Sequence, residues 1–92
     1  MHLRTRKVIR KPEIKALTGL SNTSYFEQIS KGLTVPFFNI GARAVAAYED
    51  EITTVTTARA AGKSDDELRE IVKALIKLRE QSANDLFKHL AA

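Results

Sequence analysis

Apolar residues along the first third of the chain recur every three or four positions, gather into two short β-prone runs at residues 37–40 and 44–46, and then return to helical spacing. Ile14, Leu17 and Leu20 follow Pro12, whose missing N–H suits the first turn of a helix, and Gly19 supplies the backbone freedom that ends one. Ser21 is an N-cap candidate for a second helix over residues 22–31, closed by Gly32. Tyr25 and Ile29 form its inward stripe, while Asn22, Thr23, Phe26, Glu27 and Ser30 fall on the other side. Pro36 interrupts helical spacing. Phe37-Phe38-Asn39-Ile40 and Ala44-Val45-Ala46 then read as two strands of a hairpin around Gly41-Ala42-Arg43. Residues 48–61 are expected to form a third helix closed by Gly62. Its Thr53, Thr54, Thr56 and Thr57 are poor helix formers, so it requires tertiary support.

Ser64-Asp65-Asp66-Glu67 is a capping box at the head of a strongly amphipathic helix. Leu68, Ile71, Leu75 and Leu78 trace its seam, widened by Val72 and Ile76, and Asp65 with Arg69 and Glu70 with Lys73 can pair along the polar side. Ser82, Asn84 and Asp85 offer possible punctuation before Leu86, Phe87 and Leu90, and these residues leave open whether the helix breaks there. The seam either packs back on the preceding domain or meets a second copy. Its width and the small size of the rest favour a homodimer slightly. The order of elements predicts a mainly α chain: a winged helix-turn-helix over residues 8–61, with a small β-hairpin wing, a basic arm at residues 1–7 and a C-terminal helical extension at 64–92.

Ninety-two residues suffice for one domain with a modest core, and 43% hydrophobic with 28% charged residues is ordinary globular composition. No apolar run approaches the roughly 18 residues of a membrane span, and the opening residues lack the apolar core of a secretory signal. The absence of cysteine fits a reducing cytoplasm. His2 and His89 stand at opposite ends with no ligand cluster, and no nucleophile, base and orienter can be named together. Neither a metal, a cofactor nor an enzyme is expected. The net charge of +4 is unevenly distributed: residues 1–15 hold Arg4, Arg6, Lys7, Arg10, Lys11 and Lys15 against one acid, Glu13. Such an arm suits a polyanion.

Pro12-Glu13-Ile14, Leu17-Thr18-Gly19-Leu20-Ser21, Lys31-Gly32, Gly41-Ala42-Arg43-Ala44-Val45 and Glu51-Ile52 follow one another in a characteristic order. In this series, over roughly residues 8–58, the chain resembles AlpA-type prophage regulators, relatives of MerR-like excisionases. The resemblance implies a small DNA-binding protein of a phage or mobile element, a transcriptional regulator or excisionase, with no catalytic chemistry. Asn22 and Glu27 stand where that family usually carries basic residues, Gln28 where it has Leu, and Ala47 where it has Trp.

On this reading duplex DNA is the partner, and the protein is cytoplasmic and nucleoid-associated. Ser21, Asn22, Thr23, Phe26, Glu27, Ser30 and Lys31 would belong to the recognition helix. Asn pairs bidentately with adenine, a Thr methyl touches thymine, and Glu27 would accept from a cytosine amino group. Arg43 at the hairpin tip would meet phosphates or the minor groove, and Arg4, Arg6, Lys7, Arg10 and Lys11 would add sequence-independent affinity. Tyr25, Phe26, Phe37 and Phe38 are more readily core and wing packing than a stacking platform for single strands. The rival reading is an interaction module, in which an acidic face (Glu27, Glu49, Asp50, Glu51) and the C-terminal helix bind an integrase or a toxin.

Overall fold

The computed structural model describes residues 5–91, so Arg4 and His2 lie outside the described residues. The described chain is mainly helical, with four helices and a three-stranded antiparallel sheet. In chain order these are β1 (Val8–Ile9), α1 (Lys11–Thr18), α2 (Asn22–Ser30), β2 (Phe38–Asn39), β3 (Val45–Tyr48), α3 (Glu49–Ala60) and α4 (Asp65–Ala91). The helices fall where the spacing predicts them. The strand β1 has no counterpart in the sequence pattern.

That strand is two residues long, too short for periodicity to register. Partners far along the chain define it: Val8 pairs with Tyr48 and Ile9 with Ala47, so β3 lies between β1 and β2. The Glu49 N–H donates to the Lys7 carbonyl at 2.9 Å, continuing the ladder. Thr5, Arg6 and Lys7 therefore lead directly into the sheet. The expected hairpin is present in register, Phe38 with Ala46 and Asn39 with Val45, but its second strand runs on to Tyr48 and delays α3 by one residue.

One core joins every layer. Ile9, Ile14, Tyr25, Val35, Ala47, Ile52, Val55 and Val72 are buried together, with Leu20, Ile29, Phe37, Leu75 and Ile76 packed around them. A smaller cluster of Leu33, Ala58 and Leu68 is covered by Ile71. The Thr-rich α3 thus obtains the support its sequence demands, from Ile52, Val55 and Ala58 on one side. Ala47 is fully buried beneath the sheet, which accommodates a methyl where the resembling family usually has an indole.

The capping box forms reciprocally: the Glu67 N–H donates to Ser64 Oγ and the Ser64 N–H to Glu67 Oε1, each at 3.2 Å. These bonds, with Lys63 nearby, hold the Glu67 carboxyl below the usual range. From there α4 runs unbroken through Ser82, Asn84 and Asp85 for 27 residues. At 1.5 Å per residue this is about 40 Å, close to the 43 Å longest dimension of the molecule. No described helix is long and apolar enough to cross a membrane. The seam expected to meet a second copy is divided. Leu68 and Val72 are buried in the chain's own core, and Ile71, Leu75 and Ile76 pack against it, so these five serve the fourth-helix role instead. Leu78 remains 53% exposed.

One buried acid fixes where α4 lies. Glu51 on α3 is 1% exposed, and its carboxylate accepts from Arg79 of α4 at 2.5 Å and from Arg6 at 3.2 Å. Arg79 also donates to the Pro36 carbonyl at 3.1 Å and lies 5.3 Å from the Phe38 ring centre. Removing one partner of such a pair leaves a charge in the interior, whereas removing both does not. Arg79→Leu is expected to lower unfolding free energy by about 3 kcal/mol, and the double variant with Glu51→Leu to recover a large part of that, in urea denaturation.

Candidate nucleic-acid interface

The turn between α1 and α2 is built by the motif Thr18-Gly19-Leu20-Ser21, each residue with a separate task. Thr18 Oγ1 donates to the Ile14 carbonyl at 2.7 Å and accepts the Leu20 N–H at 3.2 Å, locking the chain across the end of α1. Gly19 takes the left-handed conformation (φ 72°), and its N–H reaches the Lys15 carbonyl at 2.8 Å. Leu20 packs against the core, and Ser21 caps α2 by accepting the Ser24 N–H at 3.2 Å. Ser21 is therefore committed to the cap. Asn22 and Thr23 are exposed in the first turn, with no side-chain hydrogen bond among the described residues, and so are available to a ligand.

The opposite side of α2 is anchored. Tyr25 is buried, donates its hydroxyl to the Val35 carbonyl at 2.9 Å and accepts from Thr34 at 3.3 Å. Its ring stacks on Phe37, centroids 5.0 Å apart. Burial pushes the Tyr25 hydroxyl above the ordinary tyrosine range, with Glu51 adding slightly and Thr34 and Arg79 opposing. Gln28 bonds to Arg59 of α3, which explains a polar residue on the inward side, and Arg69 of α4 donates to the Lys31 carbonyl at 3.0 Å. The helix is held at its middle and its C-terminal end. Its first turn is left open.

On the outer face Phe26 is 48% exposed and stands edge-on to Phe37, centroids 5.4 Å apart. Lys11, from the first turn of α1, lies 5.4 Å from the Phe26 ring and 5.7 Å from that of Phe37. This brings a cation beside a helix that carries no Lys or Arg between residues 22 and 30. Glu27 is exposed, and Ser30, also exposed, returns its hydroxyl to the Glu27 carbonyl at 2.8 Å. Lys31 is exposed just beyond, and Arg43 is exposed at the hairpin tip. Of the aromatic quartet, Tyr25 is core, Phe37 is sandwiched and Phe38 leans on Tyr48, so no four-ring platform exists.

The basic arm divides. Arg6 binds Asp50 with two hydrogen bonds, at 2.7 and 2.9 Å, and its guanidinium sits 3.7 Å from the Tyr48 ring centre. With Glu51 also in reach, Arg6 is a structural clamp and not the free DNA contact its place in the arm suggests. Lys7 bridges Glu49 at 3.2 Å and Glu13 at 3.7 Å, which raise its pKa, yet stays well exposed. Arg10 is exposed and, like Lys11, makes no ion pair among the described residues. The acidic face of the rival reading is likewise corrected: Glu51 is buried, and Glu49 and Asp50 are engaged by Lys7 and Arg6. Their proximity to the arm joins residues some 40 apart, which no local pattern announces.

Two measurements separate clamp from contact and core from surface. Arg6→Ala should cost about 1–2 kcal/mol in urea denaturation through the lost Asp50 bonds and ring contact, and Arg10→Ala less than about 0.5 kcal/mol. Tyr25 gives a pH signature. A raised folded-state pKa means stability fully present below the unfolded value and lost as pH rises through the folded one. The wild type should weaken more than Tyr25→Phe above about pH 10. No family model, curated protein or solved structure matches the chain.

Proposed function

We propose that the chain is a winged helix-turn-helix protein that binds duplex DNA by presenting the first turn of α2 to the major groove, as a regulator or excisionase of a phage or mobile element. The observation that carries this reading is the division of α2. Ser21 takes the capping role, Tyr25 and Gln28 take the anchoring roles, and Asn22 and Thr23 are left exposed at the leading end with uncommitted side chains. The leading end of a second helix is where such motifs read base edges.

The remaining parts have consistent roles. Asn22 offers the donor and acceptor pair that matches adenine, and the Thr23 methyl and Phe26 ring suit a thymine methyl. Lys11, Arg10 and Lys31 would neutralise phosphates around the groove, and Arg43 would contact backbone or minor groove from the hairpin. The AlpA-type motif series supports the same conclusion, since its Thr18-Gly19-Leu20-Ser21 segment builds the turn this device requires. A cytoplasmic, nucleoid-associated protein follows from the proposal.

Fluorescence anisotropy with labelled random and selected duplexes at several salt concentrations tests it. Expected is binding whose log K falls linearly with log salt, with the slope reduced by about one in Lys11→Gln. Asn22→Ala should cost about 1–3 kcal/mol on the selected duplex and little on random sequence. Salt-independent or absent binding overturns the proposal.

A further inference from the structure

A crevice of about 110 Å³ opens behind α2, on the inward side of the helix where Gln28 stands. Leu20 from the turn between α1 and α2, with Ile52 and Val55 from α3, forms its apolar wall. Gln28, Thr56 and Arg59 supply polar groups, and no acid lines the crevice among the described residues. Arg59 Nη2 donates to Gln28 Oε1 and to the Leu33 carbonyl, which holds the guanidinium in place. Its Nε and Nη1, the Gln28 amide nitrogen and the Thr56 hydroxyl have no hydrogen-bond partner among the described residues, and Arg59 makes no ion pair there. The two other threonines at the crevice have spent their hydroxyl protons, Thr18 on the Ile14 carbonyl and Thr34 on Tyr25. Free donors and an unneutralised positive charge therefore sit beside an apolar wall. A few polar groups at the edge of an apolar concavity are the usual makings of a small-molecule site.

We propose that this crevice binds a small carboxylic acid as its anion. The charge of Arg59 attracts the carboxylate, and the free N–H groups of Arg59 and Gln28 with the Thr56 hydroxyl bond to its oxygens. The hydrocarbon chain lies against Leu20, Ile52 and Val55. Size selects the acid: a closed cavity of about 150 Å³ holds benzene, so this smaller space takes an acid of about three to five carbons. A sulfate or phosphate would leave the apolar wall unused, and a long-chain fatty acid exceeds the space. The bound acid would bridge α2 and α3 where Arg59 already joins them. The site uses neither Asn22 nor Lys11 and is independent of the DNA reading.

Amide chemical shifts of the full chain titrated with sodium butyrate, at ionic strength held constant with sodium chloride, test the proposal. Saturable changes are expected at Leu20, Gln28, Val55, Thr56 and Arg59, in the millimolar range suited to so small a ligand. Acetate, which lacks the chain, and butanol, which lacks the charge, should each bind at least about tenfold more weakly. Arg59→Gln should weaken butyrate binding at least about tenfold. Because Arg59 also braces α2, Thr56→Val provides a second variant that leaves that brace intact. It should weaken butyrate about threefold or more while circular dichroism stays unchanged. No saturable change with butyrate, acetate binding as tightly as butyrate, or either variant folding and binding butyrate as the wild type does overturns the proposal.

Discussion

The fold turns on a single buried carboxylate. Glu51 stands on α3 with almost no access to water, and two guanidiniums reach it from opposite ends of the chain, Arg6 ahead of β1 and Arg79 midway along α4. Apolar contacts alone would tolerate a helix sliding by part of a turn. A carboxylate with Arg79 donating from two nitrogens does not, because the bonds have fixed directions. Arg79 extends the restraint to the Pro36 carbonyl, and both guanidiniums lie near the Tyr48 ring. Hairpin, N-terminal segment, α3 and α4 are thus set against one another around one charge.

That arrangement determines which part of α2 is presented. The helix α4 reaches α2 at its C-terminal end, through Arg69 and the Lys31 carbonyl, and Arg59 of α3 grips Gln28 and the Leu33 carbonyl. Tyr25 and Phe37 hold the middle from beneath. Apart from the Ser21 cap on Ser24, these restraints lie behind or beyond the first turn, so Asn22 and Thr23 project from an anchored support. Preorganisation of this kind is what a base-reading helix requires, since side chains ordered only on binding lose affinity to entropy.

The local elements are legible in the sequence because their signals are local. The Ser64 and Glu67 box, the Gly19 turn, the Ser21 cap and the hairpin around Gly41 each occupy a few adjacent residues. What escapes a sequence reading is set by distant partners. Two residues of β1 have no period to detect, and only β3 makes them a strand. Arg6 and Glu51 read as part of a DNA-contacting arm and of an acidic interaction face, yet they meet in an ion pair across 45 positions. The α4 seam reads as apolar, but periodicity does not say what covers an apolar face; its inner half found α3 and the Leu33 loop. The Lys11 placement beside Phe26 is likewise invisible in the sequence, since it depends on how α1 crosses α2.

The central claim is that the open first turn of α2, with Lys11 and Phe26 beside it, is the surface that meets DNA. Amide chemical shifts followed while a selected duplex is titrated into labelled protein test it most directly. The account predicts the largest changes at Asn22, Thr23, Phe26 and Lys11, smaller ones at Arg43, and little at the outer turns of α4. Changes concentrated on α4 or on Glu49 and Asp50, with the α2 amides unmoved, would contradict it.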